Sequence, residues 1–299
     1  MFGLSDINAA LSIWDRIKKG TADDQAIQAP DTVASRFVRL FEKHGIHRNQ
    51  IPRFFGQGLS LDSVSSDEKL IAHLTHEILQ AAAELFSIRL EWLEGADDQL
   101  YDTHDFYKHP EGYGEFLEKL NSKGDQRLMV KLVLTNYGYP DENALLVIEE
   151  EIASLGDGAI VRYHLCNGWS HKYYKCRAGL AACIAMTLNQ GVFIRGSWKQ
   201  GPVDVFCEGK GFISDLDSLP YAYRRDWLMR KRYAKANWHP DHWIYDPEDY
   251  LDGVDEGDYG KRSALEIWLY YFDKGLLETG YHRKHAAEDF KAYLQNNIK

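Results

Sequence analysis

The fold is decided by two neighbouring stretches, LMVKLVLT at residues 128–135 and ALLVIEEE at residues 144–151. Both are short apolar runs bounded by turn residues, a pattern typical of buried strands. AIVRYHLC at 159–166 and residues 192–198 have the same character, and a helix is predicted between them at 169–188. The order strand–strand–strand–helix–strand predicts an antiparallel sheet with one helix across its face.

Before this sheet, residues 31–95 predict a run of short helices. The first of them shows apolar residues at the spacing of a single helix face: Val33, Phe37, Leu40 and Phe41. Gly45 is expected to end it, since glycine tolerates the left-handed conformation found at helix C-termini. Thr75 is the expected N-cap of a later helix. These further helices are predicted at 48–55, 67–74 and 75–85.

The rest of the chain predicts a connector and a tail. One helix is expected in the connector, at 111–120. In the tail a basic helix is predicted at 224–235, and two more helices at 262–272 and 282–295. The sequence therefore predicts an α+β protein with four parts: an all-helical domain at 31–95, a connector at 96–127, an α+β sensor or dimerisation domain at 128–220, and a helical, aromatic-rich tail at 221–299.

Composition narrows the class of protein. The chain has 299 residues, 44% of them hydrophobic and 27% charged, which is typical of a soluble globular protein rather than a disordered one. Its net charge of −10 excludes a protein that coats nucleic acid over its whole surface, so any such contact is a local patch. Four cysteines are too few for a disulfide scaffold, and no apolar run approaches a membrane span. A cytoplasmic protein with reduced thiols is expected.

Three segments of the helical part carry a resemblance. FVRLFEKHGI at 37–46 reads as a helix with a glycine turn, RNQIPRFFG at 48–56 as a second helix, and AAELFSIRLEWLEG at 82–95 ends on Trp-Leu-x-Gly. They resemble the Cro/CI-like (XRE-type) helix-turn-helix transcriptional regulators. The resemblance implies a homodimer that binds double-stranded DNA with a third helix in the major groove. The matching position, 58–68, holds three acidic residues and no Arg, Lys, Asn or Gln to pair with bases.

The basic and amide side chains of the helical part lie one helix earlier. Contacts with the DNA backbone are therefore expected from Arg36, Arg39, Arg48, Asn49, Gln50 and Arg53. The basic segment of the tail, with interleaved aromatic residues, predicts a second patch of Arg224, Arg225, Arg230, Lys231 and Arg232. The alternative is that this segment docks on the acidic residues 61–100. A separate alternative, indicated by the acidic stretch at 62–67 and the aromatic tail, is that the helical domain is a protein-interaction module that no longer reads DNA.

A small-molecule site is predicted in the sheet domain. Six aromatic or basic side chains come from adjacent predicted strands and the start of the predicted helix, and are expected to line one pocket: Tyr163, His164, Trp169, His171, Arg195 and Trp198. An apolar pocket with a few polar groups is typical of a site for a small effector. The alternative is that these side chains belong to the core or to a partner interface.

The remaining motifs do not point to catalysis. Cys166, His171 and Cys176 match the second half of a zinc knuckle, but Tyr163 stands where its preceding cysteine belongs, so buried thiols are the favoured interpretation. No nucleophile elbow and no phosphate-binding loop is present, so neither an enzyme nor a cofactor is predicted. The function predicted is a DNA-binding regulator with a ligand-sensing or dimerisation domain. A Cys/His metalloprotein is the weaker alternative.

Overall fold

The chain has the α+β fold that the sequence predicted. Its sheet has five strands, and helices cover both of its faces instead of the one face that was expected. The computed structural model describes residues 31–122, 127–135, 143–201, 203–221, 223–225, 232–234, 238–255, 260–279 and 285–297.

The N-terminal helices form where their apolar spacing and caps predicted them. The Thr75 side chain accepts a hydrogen bond from the Ile78 N–H, and Gly45 follows the first helix with a φ of +81°. The resembled family has its third helix at the position of residues 58–68. In this chain residues 56–66 form turns instead. The helices are α1 Val33–Lys43, a 3-10 turn Arg48–Gln50 that runs into α2 Ile51–Phe54, α3 Asp67–Ile71, α4 His76–Phe86 and α5 Leu90–Glu94.

The sheet has the strand order β1-β4-β3-β2-β5. Its strands are β1 Thr103–Asp105, β2 Leu128–Thr135, β3 Asn143–Leu155, β4 Gly158–Ser170 and β5 Phe193–Lys199. The prediction of an antiparallel sheet holds for β2, β3 and β4 but is wrong at both edges. β1 runs parallel to β4, and β5 runs parallel to β2. The helix between β4 and β5 carries the chain back across the sheet, so the next strand starts from the same end.

Two hydrophobic cores lie on opposite faces of the sheet. One packs the N-terminal helices, through Phe37 and Phe41 among others, against Val147 and Leu165. Two short helices complete that layer, α8 Asp204–Cys207 and α9 Ile213–Ser218. The other core packs Leu132 and further strand residues against α6 Pro110–Asn121 and α7 Tyr174–Asn189. The N-terminal helices therefore share a core with the sheet and form one of its layers.

Three segments differ from their predictions. Residues 96–127, expected as a connector with one helix, also supply strand β1. The helix predicted from residue 169 starts only at Tyr174, because β4 continues to Ser170. Near the end of β4, Gly168 has a φ of +93° and lies close to Asp105. A Cβ atom added to Gly168 would be 2.5 Å from Oδ1 of Asp105, so glycine is required there.

The prediction of a basic helix at 224–235 is also wrong. β6 Tyr223–Arg225 pairs antiparallel with β7 Arg232–Ala234, and 226–231 and 235 lie outside the described residues. That prediction rested on charge, which carries no helical period, whereas tyrosines in both strands favour extended backbone.

The buried side chain of Arg177 on α7 binds backbone carbonyls of the tail. Arg177 donates hydrogen bonds to three carbonyl oxygens, those of His171 at 2.8 Å, Tyr250 at 2.6 Å and Asp252 at 3.1 Å. Its guanidinium carbon lies 4.0 Å from the centroid of the Trp243 ring. The tail helices are α10 His242–Tyr245, α11 Pro247–Leu251, α12 Gly260–Asp273 and α13 Ala286–Asn297. None of the helices described here is long and apolar enough to cross a membrane.

Candidate functional site

The six side chains predicted to form a ligand pocket do not meet in one place. Tyr163 and His164 are consecutive on β4 and belong to opposite faces of the sheet. Tyr163 packs near the rings of the N-terminal layer, and Trp169 lies in the other core. His171 and Trp198 contact each other with their ring centroids 5.1 Å apart. Arg195 lies on β5, which two strands separate from β4, and it pairs with Lys131 of β2.

A different pocket lies at the edge of β4, and two of the predicted residues line it. β1 pairs only with residues 165–167 of β4, so the preceding part of that edge has no strand beside it within the described residues. Helix α4 on one side and α6 on the other flank this edge and enclose a depression of about 420 Å³. Its lining includes Ser87, Leu90, Asp102, His104, Phe116, Lys119, Leu120, Tyr163 and His164.

A buried carboxylate supports the back of this pocket. Oε2 of Glu150 lies 2.7 Å from Nε2 of His164 and accepts a hydrogen bond from Nε of Arg162 at 2.6 Å. Nη2 of Arg162 donates to the other carboxylate oxygen. Glu150 faces Arg162 directly in the β3–β4 register, and His164 lies two residues further along the same face. The Glu150 side chain is fully buried, so these contacts replace its hydration.

The contacts determine the charge of Glu150 and the tautomer of His164. Burial alone would raise the pKa of Glu150, but hydrogen bonds from His164 and Arg162 outweigh it and lower the pKa to about 2. An ionised carboxylate only accepts hydrogen bonds, so Nε2 of His164 carries a proton. Nδ1 of His164 makes no hydrogen bond within the described residues, and in the uncharged form of the ring it offers a lone pair.

His104 is the second imidazole of the pocket. Its ring centroid lies 4.4 Å from that of Phe116, and neither ring nitrogen makes a hydrogen bond to a described residue. Burial, together with the nearby His164, lowers the pKa of His104, while Asp102 acts in the opposite direction. At neutral pH the pocket therefore presents His104 as an uncharged ring with one donor and one acceptor.

Of the six predicted DNA-binding residues of the helical layer, four contact other residues of the protein and two are exposed. Arg36 and Arg39 both pair with Asp31, at 2.8 and 2.9 Å, and both lie over the Trp92 ring. Arg48 donates to the Val64 carbonyl and to Asp67 at 2.6 Å. Gln50 accepts from the His47 N–H. Asn49 and Arg53 are exposed.

The second predicted DNA patch is described only in part. Arg224, Arg225 and Arg232 belong to the β6–β7 hairpin, whose backbone alone is described. Arg230 and Lys231 lie outside the described residues.

The cysteines are buried thiols. Burial raises the pKa of Cys176 to about 11 and that of Cys166 still further. Among the described residues, no group of three or more His, Cys, Asp or Glu side chains could hold a metal ion.

Glu150 was missed by the sequence analysis, although one signal pointed to it. Arg162 and His164 alternate on one face of a predicted strand, and an acidic run ends the strand predicted before it, at 144–151. Comparisons of the chain with protein-family models, with curated proteins and with solved structures found no match.

Proposed function

We propose that the protein is a ligand-responsive regulator that binds a small molecule in the pocket at the edge of β4. The observation that carries the proposal is a pair of imidazoles with ring nitrogens free to bind, one of them held in a single tautomer by Glu150. The volume of about 420 Å³ suits a small organic ligand.

The position of the pocket supports a regulatory role. Ser87 and Leu90 belong to the N-terminal layer, while Phe116 and His164 belong to the sheet and the helix behind it. A ligand in the pocket contacts both layers at once. It therefore favours whichever arrangement of the two layers gives it the better contacts.

Ligand binding should be visible at the two histidines of the pocket. We expect small aromatic compounds to shift the ring C–H resonances of His104 and His164 in NMR spectra, and to leave the exposed His73 unchanged. A compound at ten times its Kd should stabilise the fold by about 1.4 kcal/mol. His104→Phe should abolish this gain because it keeps the ring stacking but removes the nitrogens, whereas His73→Phe should not. Equal gains in both variants would contradict the proposal.

DNA binding by the helical layer stays a prediction, with Asn49 and Arg53 as its exposed side chains. If they contact phosphates, a random 20-base-pair duplex should bind at low salt, and Arg53→Ala should lower the salt slope by about 1. Lys175→Ala is the control, because Lys175 is exposed on α7 behind the sheet. Fluorescence anisotropy over a salt series makes the measurement. Absence of binding at 50 mM salt would contradict both the DNA prediction and the DNA-bound homodimer that the resemblance implies.

A further inference from the structure

The pocket has an uncharged interior and a charged rim. Phe116, Leu120 and Tyr163 form apolar walls around the two imidazoles. Its formally charged lining residues, Glu84, Asp102 and Lys119, are exposed at the rim, where water screens them. The flat aromatic and aliphatic walls fit a planar apolar group, and the imidazoles are the polar groups that would meet its substituent.

The charges behind the pocket cancel. Glu150 and Arg162 form a two-point ion pair, so neither is left to balance a further charge. Adding a proton to His104 thus places a positive charge in a half-buried space whose own lining carboxylates, Glu84 and Asp102, are exposed at the rim. An anion entering the pocket compensates that charge, whereas a cation adds to it.

We propose that the pocket selects small aromatic carboxylates, and that their binding is accompanied by uptake of a proton by His104. The inference rests on the proposed function, because it specifies the chemical class of the ligand in the same pocket. The carboxylate lies between the two imidazoles and its ring packs on Phe116. No bond is made or broken, and the proton comes from solvent.

The sign of the pH dependence follows from linkage. Burial and His164 keep the pKa of His104 low in the empty pocket, and a bound carboxylate raises it. The complex therefore holds more protons than the free protein, and affinity rises as the pH falls from 8 to 6. The other titratable or charged groups that face the two imidazoles are Glu84 on α4, Asp102 before β1, Lys119 on α6, Glu150 on β3, and Arg162 and Tyr163 on β4.

The experiment compares three probes of one shape and different charge: benzoate, benzamide and benzylamine. Each is titrated into the full-length protein at pH 6, 7 and 8, with binding and the His104 pKa read from the histidine NMR signals. We expect benzoate to bind about three- to fivefold more tightly at pH 6 than at pH 8, with the His104 pKa raised by about one unit at saturation. Benzamide should bind more weakly and without pH dependence, and benzylamine most weakly.

Two variants test the origin of the effect. His104→Gln should lose most of the pH dependence, whereas His73→Gln, at an exposed histidine outside the pocket, should retain it. Lys119→Ala removes a positive charge from the rim of the pocket and should weaken benzoate binding by the same factor at all three pH values.

The outcomes separate the inference from the proposed function. If benzamide binds as tightly as benzoate, or benzylamine binds best, anion selection is overturned while small-molecule binding stands. If none of the three moves the His104 or His164 signals, both the inference and the proposed function fail.

Discussion

Replacing Arg177 by methionine is expected to reduce the free energy of unfolding by about 4 kcal/mol, a typical cost for removing one member of a buried polar network. The side chain is fully buried and satisfies the carbonyls of His171, Tyr250 and Asp252. Methionine fills most of the volume but donates nothing, so those carbonyls lose their partner. The stacking on Trp243 is lost as well.

Urea unfolding followed by tryptophan fluorescence measures this loss. Lys175→Met is the matched control, because Lys175 lies on the same helix but is exposed, and we expect a change within about 0.5 kcal/mol. Arg177→Lys should lie between the two, since an ammonium on a shorter stem cannot reach three separated carbonyls. A loss below about 1 kcal/mol for Arg177→Met would show that the tail is held by its apolar contacts alone.

Replacing Glu150 by glutamine is expected to reduce stability at pH 7 by about 3 kcal/mol, because the Arg162 guanidinium loses its counter-charge and His164 loses a charged hydrogen-bond acceptor. The pH dependence has a definite sign. The pKa of about 2 in the folded protein lies below the ordinary value of 4.5, so ionised Glu150 stabilises the fold above about pH 5. That contribution, about 3 kcal/mol for a shift of this size, disappears as the pH falls through 4 towards 2.

Unfolding curves at pH 7, 5 and 3 separate this effect from a general packing defect. The difference between wild type and Glu150→Gln should shrink as the pH falls, since the wild-type carboxyl becomes protonated as well. Glu151→Gln makes the same chemical change at the next position and serves as the control. A difference that stays constant between pH 7 and pH 3 would contradict the role assigned to the ion pair.

Local sequence signals predicted much of the fold. The strand at 128–135 was predicted with its observed bounds, and α4 within a residue at each end, because apolar periodicity and a threonine cap are properties of neighbouring residues. β1 has only three residues and is stabilised by pairing with β4, about 60 positions later, so its own sequence carries no signal. The parallel pairing of β5 with β2 likewise depends on where α7 returns the chain to the sheet, which neighbouring residues do not show.

The site was harder to predict because it depends on one irregularity in a hairpin. Leu155 pairs with Gly158, and counting back from that turn would place Glu151 opposite Arg162. A register shift between Glu151 and Ala153 moves the pairing by one residue and brings Glu150 there instead. Because successive residues face opposite sides, this shift decides which carboxylate lies behind the pocket. Residue types alone do not reveal it.

The shared core of the N-terminal helices has a consequence for synthesis on the ribosome. These helices emerge first, yet the surface that covers their apolar faces includes β3, β4 and Phe212, whose ring contacts Trp92. Some 120 residues therefore leave the exit tunnel before residues 31–95 can complete their packing. At synthesis rates of about 5–20 residues per second, the apolar faces of these helices stay uncovered for many seconds. The nascent N-terminal region is thus the stretch of this chain that a holding chaperone would engage.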